Sequence, residues 1–327
     1  MSKSSNHGGL KSFEPTESLN KHGFIHKKWN GQIYPPFFDP KAIEYLRENW
    51  ETQENDIFIC SHQKVGTHLT KKFISEILRF SFEYPKGGGM ATGDIGHGTI
   101  PWPEVMVSQH GIDHFLEFID RTKELPRLWY THCAWYDLPF RSAHTGTKFI
   151  HVFRDPRGAV ESQYHFYRSH PMLGVCDNLS IDEFIDMFIE GKMYFGDYHQ
   201  HTLDWIANCR GKIDPKSLLV LRYEDLVERK IASAKKISEF ILSTNLPLEH
   251  DLERIVSATE FDTMKKAILE NPQTFHFNPN TFFREGKTYG WMEKLTPEQI
   301  SKLDQKSENS WGEGHVSHPD MSAVNTL

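Results

Sequence analysis

The sequence predicts a single α/β domain, with a central, mostly parallel sheet flanked by helices and a P-loop-like strand–loop–helix at its start. Four short segments, at 56–60, 125–132, 148–153 and 218–221, predict strands; the first, third and fourth are rich in Ile, Val, Leu and Phe, as strands buried on both faces are, and the second carries Leu128, Trp129 and Tyr130. Each leads through a short turn toward residues of helical spacing, and right-handed crossovers assemble such units into one sheet. No internal repeat or linker interrupts the 327 residues, so one large domain is favoured over two small ones.

In chain order, residues 1–25 are polar and Gly/Ser-rich and predict a disordered or loosely packed arm, leaving 26–327 as the domain. The stretch 33–38 is apolar but broken by Pro35 and Pro36, and predicts a segment packed across the surface. Asp39 or Pro40 opens a helix through Trp50, with Ile43, Leu46 and Trp50 on one side. The strand at 56–60 is followed by Leu69, Phe73, Ile74, Ile77 and Leu78 along one helical face. Gly87 to Gly98 mark a long loop closing on Pro101, Trp102, Pro103 and Glu104. A helix around 112–121 precedes the second strand, which ends near His132. The third strand runs into Arg154, Asp155 and Pro156, and a helix carrying Val160, Tyr164 and Tyr167 follows. Ser180 and Glu183 form a capping box, and an aromatic-rich helix spans 195–209. Helices at about 230–243, 249–258 and 260–269 follow the fourth strand, and the last thirty residues are weakly patterned.

Bulk properties exclude several classes. A formal net charge of −7 argues against general binding to nucleic acid or anionic membranes, so any anion site must be a local basic pocket. The polar N-terminus has no apolar core of a secretory signal, and no run approaches the roughly 18 apolar residues of a membrane span. Cys60, Cys133, Cys176 and Cys209 are scattered, which predicts reduced thiols in a cytoplasmic protein. No metal site is predicted; His199 and His201 lack a convincingly spaced third ligand.

Between the first strand and its helix lies Ser61-His62-Gln63-Lys64-Val65-Gly66-Thr67. A strand turning sharply into a helix aims backbone N–H groups and the positive end of the helix dipole at one spot. Lys64 adds a charge there, Gly66 permits close approach, and Thr67 supplies a hydroxyl. The full glycine loop of nucleoside triphosphatases is absent, which counts against a kinase. The Arg154 turn predicts a second anion site by the same logic.

Taken together, HQKVGTH at 62–68, PRLWYTH at 126–132, FRDPRGAVESQYHFYR at 153–168 and FFREGKTYGW at 282–291 resemble the cytosolic-type sulfotransferases, which use 3′-phosphoadenosine 5′-phosphosulfate (PAPS). The resemblance implies that Lys64, Val65, Gly66, Thr67 and His68 bind the 5′-phosphosulfate end of PAPS. It implies that Arg154 and Ser162, with Arg284, Glu285 and Gly286, hold the 3′-phosphate, and that Tyr223, Thr259 and Phe261 line the adenine. His132 falls on the family's catalytic base, and Lys64 would stabilise the leaving phosphate of the product, 3′,5′-adenosine bisphosphate (PAP). An imidazole of ordinary pKa near ~6.5 is a fair base at neutral pH.

The chain departs from the family at four positions. Val65 replaces a usual Ser, Leu69 an adenine-stacking Trp, Tyr130 a Lys beside the transfer point, and Glu285 a Lys near the 3′-phosphate. Pro297 interrupts the family's dimer motif, leaving the oligomeric state open. Two alternatives stay beside the transferase reading: an Mg-ATP-dependent small-molecule kinase, and a non-catalytic nucleotide-binding protein. For the small-molecule acceptor, sulfated on a hydroxyl or on an amine or carbamoyl nitrogen, the expected pocket is Trp102, Tyr130, Phe153, Tyr164, His165 and Tyr198. Asp94, Glu104 and Asp197, with a lysine lost at Tyr130, suggest a cationic acceptor of the saxitoxin kind.

Overall fold

The computed structural model describes residues 21–81, 100–123, 126–138, 142–175, 177–209, 212–242, 244–270 and 282–319. The predicted arm up to residue 20, the glycine-rich stretch with Asp94, and Cys176 lie outside the described residues. Among the described residues the first strands form a small antiparallel hairpin, β1 (Lys27–Trp29) and β2 (Gln32–Tyr34), which the sequence reading did not anticipate. The following 33–38 segment is not surface packing: Ile33, Tyr34 and Phe38 are buried in the main core.

Among the described residues the principal sheet has four strands: β3 (Asp56–Ser61), β4 (Arg127–Thr131), β5 (Lys148–Phe153) and β6 (Leu218–Arg222). Their spatial order is β4-β3-β5-β6, and every pair is parallel. Residues of β3 alternate between two cores. Ile57 and Ile59 face one with Ile150 and Val152; Phe58 and Cys60 face the other with Trp129 and Phe149. Burial on both faces is why these strands read as continuous apolar runs. At the N-terminal edge Asp56 is buried opposite Arg127 and accepts from its Nε at 2.5 Å and Nη2 at 2.6 Å. Trp129 Nε1 donates to the same carboxylate at 2.9 Å. A buried pair broken on one side leaves an uncompensated charge, so this bridge opposes any slip of β4 along β3.

Helices cover the sheet. Those used below are α1 (Pro40–Asn49), α2 (Thr67–Ser81), α3 (Pro103–His110), α4 (Ile112–Arg121), α5 (Pro156–Ser169), α6 (Ile181–Ile189), α7 (Tyr198–Leu203), α8 (Tyr223–Glu228) and α9 (Lys230–Ile241). They are followed by α10 (Glu249–Ala258), α11 (Phe261–Glu270) and α12 (Pro297–Trp311). Helix α3 begins at the Trp-Pro anchor, where Pro103 occupies the first turn and lacks only a donor that has no partner there. The weakly patterned C-terminal region is in fact helical. Thr296 and Gln299 cap α12 reciprocally, Pro297 opens it, and only Leu303, Ser307 and Trp311 with Gln299 are buried along its length. So narrow a buried stripe gives little hydrophobic periodicity to read. No described helix is long and apolar enough to cross a membrane.

The strand order places a switch between β3 and β5. After β3 the chain goes to β4 on one side, then returns to β5 on the other. In open α/β sheets that divergence opens a crevice at the C-terminal ends of the strands. Lys64 follows β3, His132 follows β4 and Arg154 follows β5, so all three arrive at that edge.

Candidate active site

After Ser61 the backbone turns through left-handed conformations at Lys64 (φ 62°) and Gly66 (φ 110°) into α2. A Cβ on Gly66 would come within 2.7 Å of the Tyr223 ring, so both backbone and space require glycine. The Thr67 and Ser61 hydroxyls lie 2.8 Å apart and tie the first helical residue to the strand end. The Lys64 ammonium lies 3.6 Å from the Phe282 ring centroid and 4.9 Å from that of Phe166. Burial, then the charges of Arg284 and Arg154, lower its pKa to about 7. Desolvation and neighbouring cations both disfavour the ammonium form, and aromatic faces recover only part of that cost.

His132 is buried, with Nδ1 2.6 Å from the Ser61 carbonyl oxygen. That oxygen can only accept, so Nδ1 carries the proton and Nε2 is left with its lone pair. Burial pushes the imidazole down to about 3, and nearby Lys71, His201 and Lys64 push the same way. The ring stands edge-on to Trp102 at 4.9 Å and to Tyr130 at 5.8 Å. Behind Tyr130 the Lys71 ammonium nitrogen sits 3.0 Å from the ring centroid, fully buried, and its pKa is driven well below the usual value by desolvation.

Arg154 is positioned from below. The Tyr198 hydroxyl accepts from the Arg154 N–H at 3.0 Å and donates to the Arg154 carbonyl. The guanidinium lies over Tyr223 at 4.3 Å and reaches the Lys64 and Lys287 carbonyls only at 3.4 and 3.5 Å. Its Nε is buried with no hydrogen-bond partner among the described residues. A buried guanidinium with an unused donor is a site made for an anion.

One cavity of about 750 Å³ joins the three turns. Lys64, Gly66, Thr67 and His68 line it from the first, His132 from the second with Tyr130 of β4, and Trp102 from the anchor before α3. Arg154 and Ser162 line it from the third. Tyr223, Thr259 and Phe261 contribute from α8 and the start of α11, and Arg284, Glu285 and Gly286 from the loop beyond. At Gly286 (φ 66°) a Cβ would come within 2.5 Å of the Phe261 ring, so that loop packs too closely for a side chain.

A sulfotransferase-domain family model matches residues 54–314 of this chain. The chain belongs to the sulfotransferase family. It is 28% identical over 287 residues to sulfotransferase 1A1 of Rattus norvegicus, covering 83% of this chain and 92% of that one. Against flavonol 3-sulfotransferase of Flaveria bidentis the identity is 25% over 295 residues, with 87% and 89% covered. Among solved structures, mouse sulfotransferase SULT7A1 complexed with PAP superposes with a TM-score of 0.66 at 22% identity, covering 89% of this chain and 95% of that one. Retinol dehydratase in complex with androsterone and inactive cofactor PAP gives 0.69 at 17%, covering 91% and 94%. These two likenesses establish the fold. Sulfotransferases of the family take their sulfuryl group from PAPS, and this enzyme is a PAPS-dependent sulfotransferase.

Five side chains named from the sequence stand outside the cavity of this sulfotransferase. Val65 is fully buried in the core, so only its backbone faces the loop. Phe153 points to the opposite side of the sheet, against Ile206 and Val220. Tyr164 packs on Phe184 and donates to the Leu179 carbonyl at 3.1 Å. His165 is partly exposed, 3.3 Å from Glu161, and the Tyr198 hydroxyl is bonded to the Arg154 backbone. Of the carboxylates behind the cationic-acceptor expectation, Asp94 lies outside the described residues and the other two are engaged elsewhere. Glu104 is buried, accepts from Thr131 and lies 3.1 Å from Cys133 Sγ; burial raises its pKa to about 7. Asp197 caps α7 and pairs with Lys306 at 2.5 Å.

Sequence reasoning passed over Lys71, Phe166, Glu161 and Lys294. The last two lie 133 residues apart with 3.2 Å between their charged atoms, and no local motif joins them. No group of three or more His, Cys, Asp or Glu among the described residues could hold a metal ion.

Proposed function

We propose that this enzyme moves the sulfuryl group of PAPS to a hydroxyl, or to an amine or carbamoyl nitrogen, of a small molecule, with His132 as general base and Lys64 stabilising the leaving phosphate. The observation that carries the reading is the His132 tautomer: a buried, neutral imidazole whose Nδ1 is committed to the Ser61 carbonyl, lining the same cavity as Lys64 and Arg154. PAPS supplies a sulfuryl group already activated by its phosphate leaving group. His132 Nε2 takes the acceptor's proton, while Lys64 and the loop amides neutralise charge gathering on the departing oxygen. Burial is the main cause of the low basicity of His132, and the neighbouring Lys71, His201 and Lys64 add to it; an arriving polyanion offsets that added part.

Arg154, Ser162 and Arg284 hold the 3′-phosphate in this reading, with Tyr223, Thr259 and Phe261 around the adenine. The unused Arg154 donor and the two glycine cradles at Gly66 and Gly286 support it. The acceptor end is walled by aromatic faces, among them Phe37, Trp102 and Tyr130. Flat rings fit there, and so does a guanidinium held by cation–π attraction. A saxitoxin-like alkaloid therefore stays the specific candidate, held by aromatic faces instead of carboxylates. The reading includes action in the cytoplasm and a loosely packed N-terminal arm, which ends short of the expected residue 25 because His22 and Phe24 are buried against the domain and Ile25 N–H donates to the Leu173 carbonyl.

Incubation with PAPS and a panel of alcohols, phenols and amines, followed by mass spectrometry, tests the activity; gain of one sulfuryl group per acceptor is expected. Thermal stabilisation by ATP–Mg²⁺ and none by PAP would sink it. Matched cationic and neutral acceptors compared at two salt concentrations test the finer claim. A cation preference that barely changes with salt supports aromatic recognition; no preference ends it.

A further inference from the structure

A carboxylate stands where an anion-binding site should have none. Glu161 precedes Ser162 on α5, lines the cavity and keeps only 5% of its side chain exposed. Arg284 grips it with both prongs, Nη1 to Oε1 at 2.6 Å and Nη2 to Oε2 at 2.7 Å. Lys294 Nζ donates to Oε1 at 3.2 Å, and His165 Nε2 lies 3.3 Å from the same oxygen. Burial alone would raise the Glu161 carboxyl; the hydrogen bonds and charge of Arg284, with His165 and Lys294, hold it far below the usual carboxylate range. A forked guanidinium plus an ammonium is the donor set a phosphate takes. Lys294 also donates to Glu285 at 2.8 Å and itself lines the cavity. It therefore brings a cation to the position where Glu285 brings a negative charge.

We propose that Glu161 is a resident anion that occupies Arg284 and Lys294 in the nucleotide-free enzyme and gives them up to the donor's 3′-phosphate, making Lys294 a further donor-binding residue. The inference rests on the donor reading above. A 3′-phosphate carries nearly two negative charges above pH ~6, against one for a carboxylate, so it outcompetes Glu161 once Arg154 adds its unused donor. Nucleotides without that phosphate have nothing to displace Glu161 with. Glu161 thus sharpens discrimination at some cost in affinity, a device built from repulsion as much as attraction.

Calorimetric titration of wild type, Glu161→Gln, Lys294→Ala and Lys294→Arg with PAP and with 5′-AMP tests this. Glu161→Gln should tighten PAP by about threefold to tenfold and change 5′-AMP by less than about twofold, because a competing charge is removed while Arg284 keeps a neutral partner. Lys294→Ala should weaken PAP by about fivefold to tenfold and leave 5′-AMP nearly unchanged, with Lys294→Arg restoring most of the loss. Should Glu161→Gln fold poorly, the Lys294 pair carries the test alone, since its side chain is 28% exposed and not part of the core. Weaker PAP binding in Glu161→Gln, or equal changes for both nucleotides in the Lys294 variants, overturns the inference. Wild type that prefers PAP while the variants match it also overturns the inference but leaves the donor reading standing. Wild type that binds both nucleotides alike overturns the two together.

Discussion

At the His132 end of the cavity burial pushes the titratable groups toward their uncharged forms, while at the Arg284 end they are charged and paired. His132, Lys71 and Glu104 are all buried, and burial shifts each toward its uncharged form. Arg284, Glu161, Lys294 and Glu285 instead form one chain of ion pairs, with the Glu161 and Glu285 carboxyls both held below their usual range against the effect of burial. The two ends share a wall, so the difference is one of partners. Where no counter-charge reaches a buried group it sheds its charge; where one does, the pair persists. In the proposed reaction the first plan suits proton transfer, which needs a neutral base. The second suits holding a polyanion that does not react. Lys64 sits between them, caged by Phe166 and Phe282, with a pKa of about 7 that belongs to neither extreme.

The sharpest break of this contrast is His132→Ala. Turnover should fall by about 10²- to 10⁴-fold while PAP affinity, measured by calorimetry, stays within a few-fold, because the base faces the acceptor. Near-full kcat would remove His132 from the mechanism. Arg154→Ala strikes the other end. Loss of one charge-assisted contact, roughly 1.5–3 kcal/mol, should weaken PAP by about tenfold to a hundredfold and hardly affect adenosine 5′-phosphosulfate, which has no 3′-phosphate. Equal losses would show that Arg154 reads something else.

The intermediate lysine predicts a pH dependence. Lys64 faces Arg284, Arg154 and Glu161 together with its aromatic cage, and its amine titrates at about 7 in the ligand-free site. An anion binds the ammonium form, which is fully present below that value. PAP affinity should therefore fall as pH rises above 7, by at most about tenfold per unit, with the decline absent in Lys64→Met. Below pH ~6 the nucleotide's own phosphate gains a proton, so affinity should peak near neutrality. A flat profile between pH 7 and 9 in wild type would mean that Lys64 stays charged throughout.

Tyr198→Phe should cost about fivefold in PAP affinity and nothing in acceptor KM, since the hydroxyl holds the Arg154 backbone and does not line the cavity. A KM effect alone would return Tyr198 to the acceptor pocket. Glu104→Gln leaves the nucleotide untouched and reports on the dry end through stability. The folded carboxyl keeps its proton to about 7, whereas the unfolded one loses it near 4.5. The folded state thus binds more protons across that window, and stability from this group is lost as pH rises through it, by at most about 1.4 kcal/mol per pH unit. Urea midpoints at pH 5 and 7 should show a smaller decline in the glutamine variant; parallel declines would place a charged carboxylate in the folded core.

Much of this was legible along the chain. Three of the parallel strands announced themselves by apolar runs and the second by its Leu-Trp-Tyr segment, and each of the turns bearing Lys64, His132 and Arg154 stands within a few residues of a strand end. Strand pairing needs only that local pattern, and βα handedness then places the turns at one edge. The hairpin at 27–34 and the capped helix Pro297–Trp311 escaped, the first because three-residue strands have no period to detect, the second because one narrow stripe buries it.

The sequence alone therefore determined the sheet, the edge at which ligands gather, and the residue types gathered there, because those depend on patterns a few residues long. The tertiary structure decided which of those residues face the cavity and in what charge state. Phe153 and Tyr164 turned away, Tyr198 went to the Arg154 backbone, Glu104 was buried against Thr131 and Cys133, and Glu161 met Arg284 across 123 residues of chain. Charge state depends on desolvation and on partners brought from distant elements, and neither quantity exists until the chain has closed around the site.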